Sequence, residues 1–124
     1  MSLREDILGV DDAEVEPLEI PEWNLTVYLR IMTARERDRF EELQRGQGFA
    51  DIRARMAAAC ICDESGELAF TEADIPALAK KSSVALDRIF AAAIRLNRIG
   101  RDDVEELKKK SELIHSDGSS SGSH

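Results

Sequence analysis

The chain has 124 residues, with 25 acidic against 17 basic side chains, a formal net charge of −8, 43% apolar residues and 5% aromatics. That length is one domain's worth, and the acidic balance argues against nucleic acid as the main partner, because phosphate recognition needs clustered Lys and Arg. No stretch approaches the roughly 20 apolar residues of a membrane span, and no basic and then apolar leader opens the chain.

Residues 1–19 hold Glu5, Asp6, Asp11, Asp12, Glu14, Glu16 and Glu19 against Arg4 alone. This composition suits a solvated acidic arm over 1–14, or an arm that orders on a basic partner. Within it Leu3, Ile7 and Leu8 fall at helical spacing, Ser2 can cap, and Gly9 ends the turn, so a short helix is predicted over Leu3–Leu8. Val15, Leu18 and Ile20 then form an extended run containing Pro17, which assigns it to a sheet edge. Pro21 and Asn24 bracket a turn, and Leu25–Ile31 is the strongest strand. Leu25, Val27, Leu29 and Ile31 share one face; Thr26, Tyr28 and Arg30 share the other. Two strands alone are marginal, so this hairpin (15–32) must lie on helices or pair with another copy.

Thr33-Ala-Arg-Glu36 is a capping box opening a mostly charged helix over Ala34–Arg45, whose narrow apolar stripe is Phe40 and Leu43. Phe49, Ile52, Met56, Ala59 and Cys60 predict an amphipathic helix over Ala50–Cys62. Asp63–Gly66 reads as a turn and Leu68 and Phe70 as a short extended piece; Thr71–Asp74 starts a helix to about Lys80, with Pro76 in its first turn. Ser82 and Ser83 cap a helix over Val84–Asn97, with Leu86, Ile89, Phe90, Ala93 and Leu96 inward. Asp102 and Asp103 start a last helix, Val104–Lys110, and 111–124 reads as a disordered tail. The expected class is α+β and mostly α: a small N-terminal β-hairpin followed by about four to five helices in one domain over 15–110.

Few residues offer reaction chemistry. Both histidines, His115 and His124, fall in the tail, without the fixed geometry that a catalytic base needs. Cys60 and Cys62 point about 200° apart if both lie on a helix. With no further ordered cysteine or histidine they do not make a zinc site; they read as small buried side chains of a reducing cytoplasm. The carboxylate pairs Asp11–Asp12, Glu41–Glu42, Asp63–Glu64 and Asp102–Asp103 read as caps and wet helix faces. No phosphate loop, dinucleotide fingerprint or nucleophile elbow occurs. No catalytic residue, cofactor or metal is therefore expected. Trp23 and Tyr28, the sole tryptophan and tyrosine, both fall on the hairpin. Trp23 either packs under that hairpin or anchors an interface; with Leu25, Tyr28 and Phe40 it makes up the candidate partner-binding set.

Over Leu3 to Lys110 the order of parts resembles the tail assembly chaperones of long-tailed bacteriophages. The landmarks are LREDIL, EIPEWNLTVYLR, MTARERDRFE, CDESGELAFTEADIPALAKKSSVALDRIFAAAIRLN and RDDVEELKKK. The resemblance implies a non-enzymatic protein of the host bacterial cytoplasm, absent from the finished virion. It implies binding to the tape measure protein, recruitment of tail tube subunits, and self-association, in some cases into a spiral. It also implies a longer form made by programmed frameshifting, for which Lys108–Lys110 could be encoded by slippery adenines. The residues alone also leave open a small acidic regulator, antitoxin-like, that masks a basic partner.

Overall fold

A computed structural model describes residues 2–100. The expected helix over Val104–Lys110 and the tail over 111–124 lie outside the described residues. Helix α1 (Leu3–Leu8) is followed by strands β1 (Val15–Ile20) and β2 (Leu25–Arg30), helices α2 (Ala34–Gln44) and α3 (Ile52–Cys60), strand β3 (Ile61–Cys62), helix α4 (Ile75–Leu78) and helix α5 (Ser83–Leu96). The class is α+β, mostly α, as expected, but the hairpin belongs to a three-stranded antiparallel sheet of order β1-β2-β3.

The local start and stop signals act as the sequence suggests. Ser2 and Glu5 form a capping box at α1, Thr33 and Glu36 form one at α2, and the Ser82 hydroxyl accepts from the amides of Val84 and Ala85. A 3-10 turn over Pro21–Trp23 ends at Asn24 in the left-handed region (φ 52°), which folds β2 back on β1. Pairing runs from Val15 opposite Arg30 to Ile20 opposite Leu25. The amide of Ile31 donates to the carbonyl of Glu14 (3.0 Å), which sets the alternation: residues 14, 16, 18 and 20 bond to β2, and Val15, Pro17 and Glu19 turn their backbone groups outward. Pro17 thus stands at the centre of the sheet edge, where its missing N–H removes the middle outward donor.

The C-terminal end of α3 departs from the expectation. The amphipathic run was expected to carry one helix over Ala50–Cys62; instead the helix spans Ile52–Cys60, Ile61 turns extended (φ −69°, ψ 129°), and β3 pairs Tyr28 with Cys62 and Leu29 with Ile61. A free edge of β2 and the β-branched Ile61 win over the helical periodicity. Phe49, expected to open the apolar stripe, lies ahead of α3 and is 43% exposed. The helix expected from Thr71 to Lys80 is shorter, a 3-10 turn over Glu72–Asp74 running into α4.

Leu18, Ile20, Val27 and Leu29 share the sheet face packed on the helices, with Leu29 and Ile20 fully buried. α5 lies against α3 and touches both strands of the hairpin. Ala54, Ala57, Ala58, Ala85, Ala92 and Ala93 are buried in this core, so small side chains let the two helix backbones approach. Two buried polar side chains serve the backbone. Asn97 accepts from the amide of Met32 (2.7 Å) and donates to the carbonyl of Ala93 (2.9 Å). Gln44 donates to the carbonyl of Gly48 (2.6 Å).

Arginines along α5 and just beyond it meet acids of the N-terminal half: Arg88 with Glu22 (2.8 Å), Arg95 with Glu16 and Arg98 with Glu14 (both 3.5 Å). These exposed pairs are worth little singly but match the acidic hairpin to the basic flank of α5. α1 has no buried residue; Leu3 (74%), Ile7 (61%), Leu8 (69%) and Val10 (60%) stand exposed.

Candidate functional site: an apolar strip beside the hairpin turn

Two hollows share Phe70. The first, about 170 Å³, has Phe40, Leu43, Ala58, Ala59 and Ile75 as floor and Leu68 and Phe70 as wall. Its rim is charged: Glu36, Arg39, Arg55 and Glu72. The second, about 340 Å³, lies between the hairpin turn and α4, lined by Trp23, Leu25, Phe70, Ala77 and Leu78, with Asp74 and Lys81 at its edge. The result is an apolar strip with a polar border, the form of a surface that takes an apolar partner helix.

Its walls come from three distant segments. The hairpin turn supplies Trp23, half-buried against the core, and Leu25, 59% exposed. The stretch after β3 supplies Leu68 and Phe70, held by the Ala69 amide donating to the Ile61 carbonyl (3.0 Å) and by a bridge between Cys62 and Leu68. Helix α2 supplies Phe40, at 3% exposure part of the core and part of the floor.

Of the candidate partner-binding residues, the structure brings Trp23 and Leu25 together and sets Phe40 at the neighbouring hollow. Tyr28 stands apart, on the opposite face of β2, with its hydroxyl donating to Glu64 (3.1 Å). Sequence reasoning did not single out Leu68, Phe70, Ala77, Leu78 or Lys81. The extended reading of Leu68 and Phe70 was the one signal available. Most alanines of α3 and α5 are buried in the core, and Ala58 and Ala59 also line the first hollow.

The rim is electrostatically fixed. Arg39 grips Glu72 in a fork (Nε–Oε2 2.8 Å, Nη2–Oε1 2.9 Å) and also reaches Glu42 (2.7 Å). These bonds raise the pKa of Arg39, and the one from Arg39 lowers that of Glu72. Arg30 donates to Glu36 and to the carbonyl of Gly66 (2.8 Å). Burial pushes the Glu36 carboxyl up, but the hydrogen bonds from Arg30 and the Thr33 amide outweigh it, leaving the group below its ordinary value of 4.5. A carboxyl lowered in the folded chain contributes stability above its unfolded value and loses it as pH falls through the folded one. Stability should therefore decline below about pH 4.5. Glu36→Gln should flatten that decline, as read by urea midpoints between about pH 7 and pH 3.

Among the described residues no group of three or more His, Cys, Asp or Glu side chains is placed to hold a metal ion. The Asp63 carboxylate accepts from the Ser65 hydroxyl (2.7 Å), the Ser65 amide (2.9 Å) and the Glu67 amide (3.0 Å), which shapes the turn after β3 and lowers its pKa. Cys60 and Cys62 are both buried, one closing α3 and the other in β3, not on one helix as expected. Burial pushes the Cys60 thiol up to about 12 despite hydrogen bonding from Asn97. Neither thiol should react with Ellman's reagent at about pH 8 until denaturant is added; prompt reaction of the folded chain would show an open core.

The backbone is similar to the solved structure of the bacteriophage HK97 tail assembly chaperone. The TM-score is 0.58 at 15% sequence identity, over 75% of this chain and 91% of that one. The fold is tail-assembly-chaperone-like. No family model matches the chain, and no curated protein does. In this fold the strip beside the hairpin turn is a concave apolar surface with charged groups at its border.

Proposed function

We propose that this chain is a non-enzymatic tail assembly chaperone of a long-tailed phage or prophage. It binds the tape measure protein, keeps the long apolar helical stretches of that client soluble, brings tail tube subunits to it, and works in the bacterial cytoplasm without entering the virion. The observation that carries this reading is the Phe40 hollow of the apolar strip, with its charged rim, on a tail-assembly-chaperone-like fold. An amphipathic client helix needs an apolar bed flanked by polar groups, and the Phe40–Leu43–Phe70 hollow between Arg39, Arg55 and Glu72 is such a bed.

Co-expression with the tape measure protein of the same genome tests this. The client should move from the pellet to the soluble fraction and co-purify with the chain. Leu68→Glu, at the wall of the hollow, should cut co-purification about tenfold, because a charge would be buried under the client. A client that pellets equally with and without the chain would sink the proposal, as would capture of a small basic protein in its place.

A further inference from the structure

We propose that the apolar face of α1 seats in the Trp23–Leu25–Phe70–Leu78 hollow of a second copy of this chain, linking copies head to tail. This names the surface behind the self-association implied by the family resemblance and rests on that implication. It does not rest on client binding, which we place at the neighbouring Phe40 hollow.

The two surfaces fit in shape class and in charge. Leu3, Ile7 and Val10 recur at i, i+4 and i+7, so α1 presents one apolar stripe, flanked by Leu8. The helix is capped at Ser2 and closed at Gly9, yet none of its own residues is buried. The hollow is lined by Trp23, Leu25, Ala77 and Leu78. At its border stand Asp74, whose carboxylate already accepts from the Thr71 amide (2.8 Å), and Lys81, beside Lys80; these two are the sole lysines among the described residues, and neither has an ion pair among them. The arm carries Glu5, Asp6, Asp11 and Asp12. Acids flanking an apolar stripe thus meet lysines at the border of an apolar hollow whose one lining acid, Asp74, is taken up by Thr71.

Geometry favours a second copy over the arm's own hollow. Glu14 is tied to Ile31 at the open end of the hairpin, while Trp23 and Leu25 stand at the turn end. Those ends are six residues and ~20 Å apart along the strand, at ~3.4 Å per residue. The free linker Val10–Ala13 spans at most ~14 Å, and the Ala13 amide bonded to the Asp11 carboxylate (3.4 Å) bends it further. The arm's own helix could reach only if fully stretched along β1. The other route to self-assembly, a strand added at the β1 edge, meets Pro17 at its middle outward position. An arm in a neighbour's hollow is a heterologous contact, which propagates into open or closed chains of copies.

Complementary variants of the full chain test this. Ile7→Asp with Leu8→Asp spoils the arm and leaves the hollow; Leu25→Glu spoils the hollow and leaves the arm. By sedimentation velocity, wild type should form a concentration-dependent series of oligomers, and each variant alone should be monomeric with unchanged circular dichroism. An equimolar mixture should recover dimers and stop there, since one intact arm meets one intact hollow. Lys81→Glu should weaken wild-type association at least about tenfold, and Asp6→Lys in the same chain should recover part of it.

Wild type that stays monomeric while α1 amides are protected from exchange would place the arm in its own hollow and overturn the proposal. Wild type that stays monomeric without that protection would overturn it and the implied self-association together. Variants that oligomerise like wild type would keep self-association but move it to another surface, and again overturn the proposal. Client solubilisation is read separately through Leu68→Glu at the Phe40 hollow, so that its failure and the failure of this proposal are distinguishable.

Discussion

Replacing Asn97 by alanine is expected to lower the urea midpoint by about 1–2 M with little change in slope, a loss of about 2–3 kcal/mol. Asn97 is a buried side chain that bonds the Met32 amide, the Ala93 carbonyl and, at 3.6 Å, the Cys60 sulfur. Alanine takes away the acceptor of the buried Met32 N–H and leaves that donor desolvated. The position also matters to the site. Met32 immediately precedes Thr33, the N-cap of α2, so Asn97 ties the end of α5 to the start of the helix that carries Phe40. Asn97→Asp keeps an acceptor for Met32 but brings a buried charge, and should be no better than alanine. An Asn97→Ala chain as stable as wild type would mean that the amide finds water and that this bond does not hold α5 to α2.

Ile89→Ala is expected to cost more, about 3–4 kcal/mol, within the range for emptying a fully buried aliphatic site. Ile89 has no exposed surface and belongs to the core formed by the sheet, α3 and α5. Ala85, Ala92 and Ala93, one turn away on the same buried face of α5, have short side chains that cannot swing to fill a void. For a chain whose total stability is of order 5–10 kcal/mol this is a large fraction, and thermal unfolding should shift by roughly 10–20 °C. The gentler Ile89→Val should cost about 1 kcal/mol. A small effect from Ile89→Ala would indicate that α3 and α5 close over the gap, contrary to alanine-limited packing.

Local chemistry was legible in the sequence where a few adjacent residues carry it. Ser2, Thr33 and Ser82 act as caps, Pro21 and Asn24 make the hairpin turn, and Pro17 marks an edge, because each signal is satisfied within a few residues of chain. Strand β3 was not legible. Ile61 and Cys62 continue the helical pattern of Ile52–Cys60, and only a partner strand about 30 residues away decides otherwise.

The apolar strip was half legible. Trp23 and Leu25 stand out as apolar residues at the hairpin turn, but Phe70 and Leu78 join them only through the tertiary path after β3. Tyr28 was grouped with Trp23 by rarity, although period-two alternation already puts it across the strand from Leu25. Gln44 and Asn97 show the reverse case. They follow Phe40 by four residues and Ala93 by four, on buried stripes, so a polar residue at an inward position was visible. What could not be read was which backbone group each one serves.

The central claim is that this chain acts by holding an apolar helical client, with no bond made or broken. Calorimetric titration with a soluble helical segment of the tape measure protein from the same genome, at several temperatures, tests it most directly. The account predicts saturable binding with a negative heat-capacity change, the mark of buried apolar surface, abolished by Leu68→Glu. No heat of binding, or binding without a heat-capacity change, would contradict it.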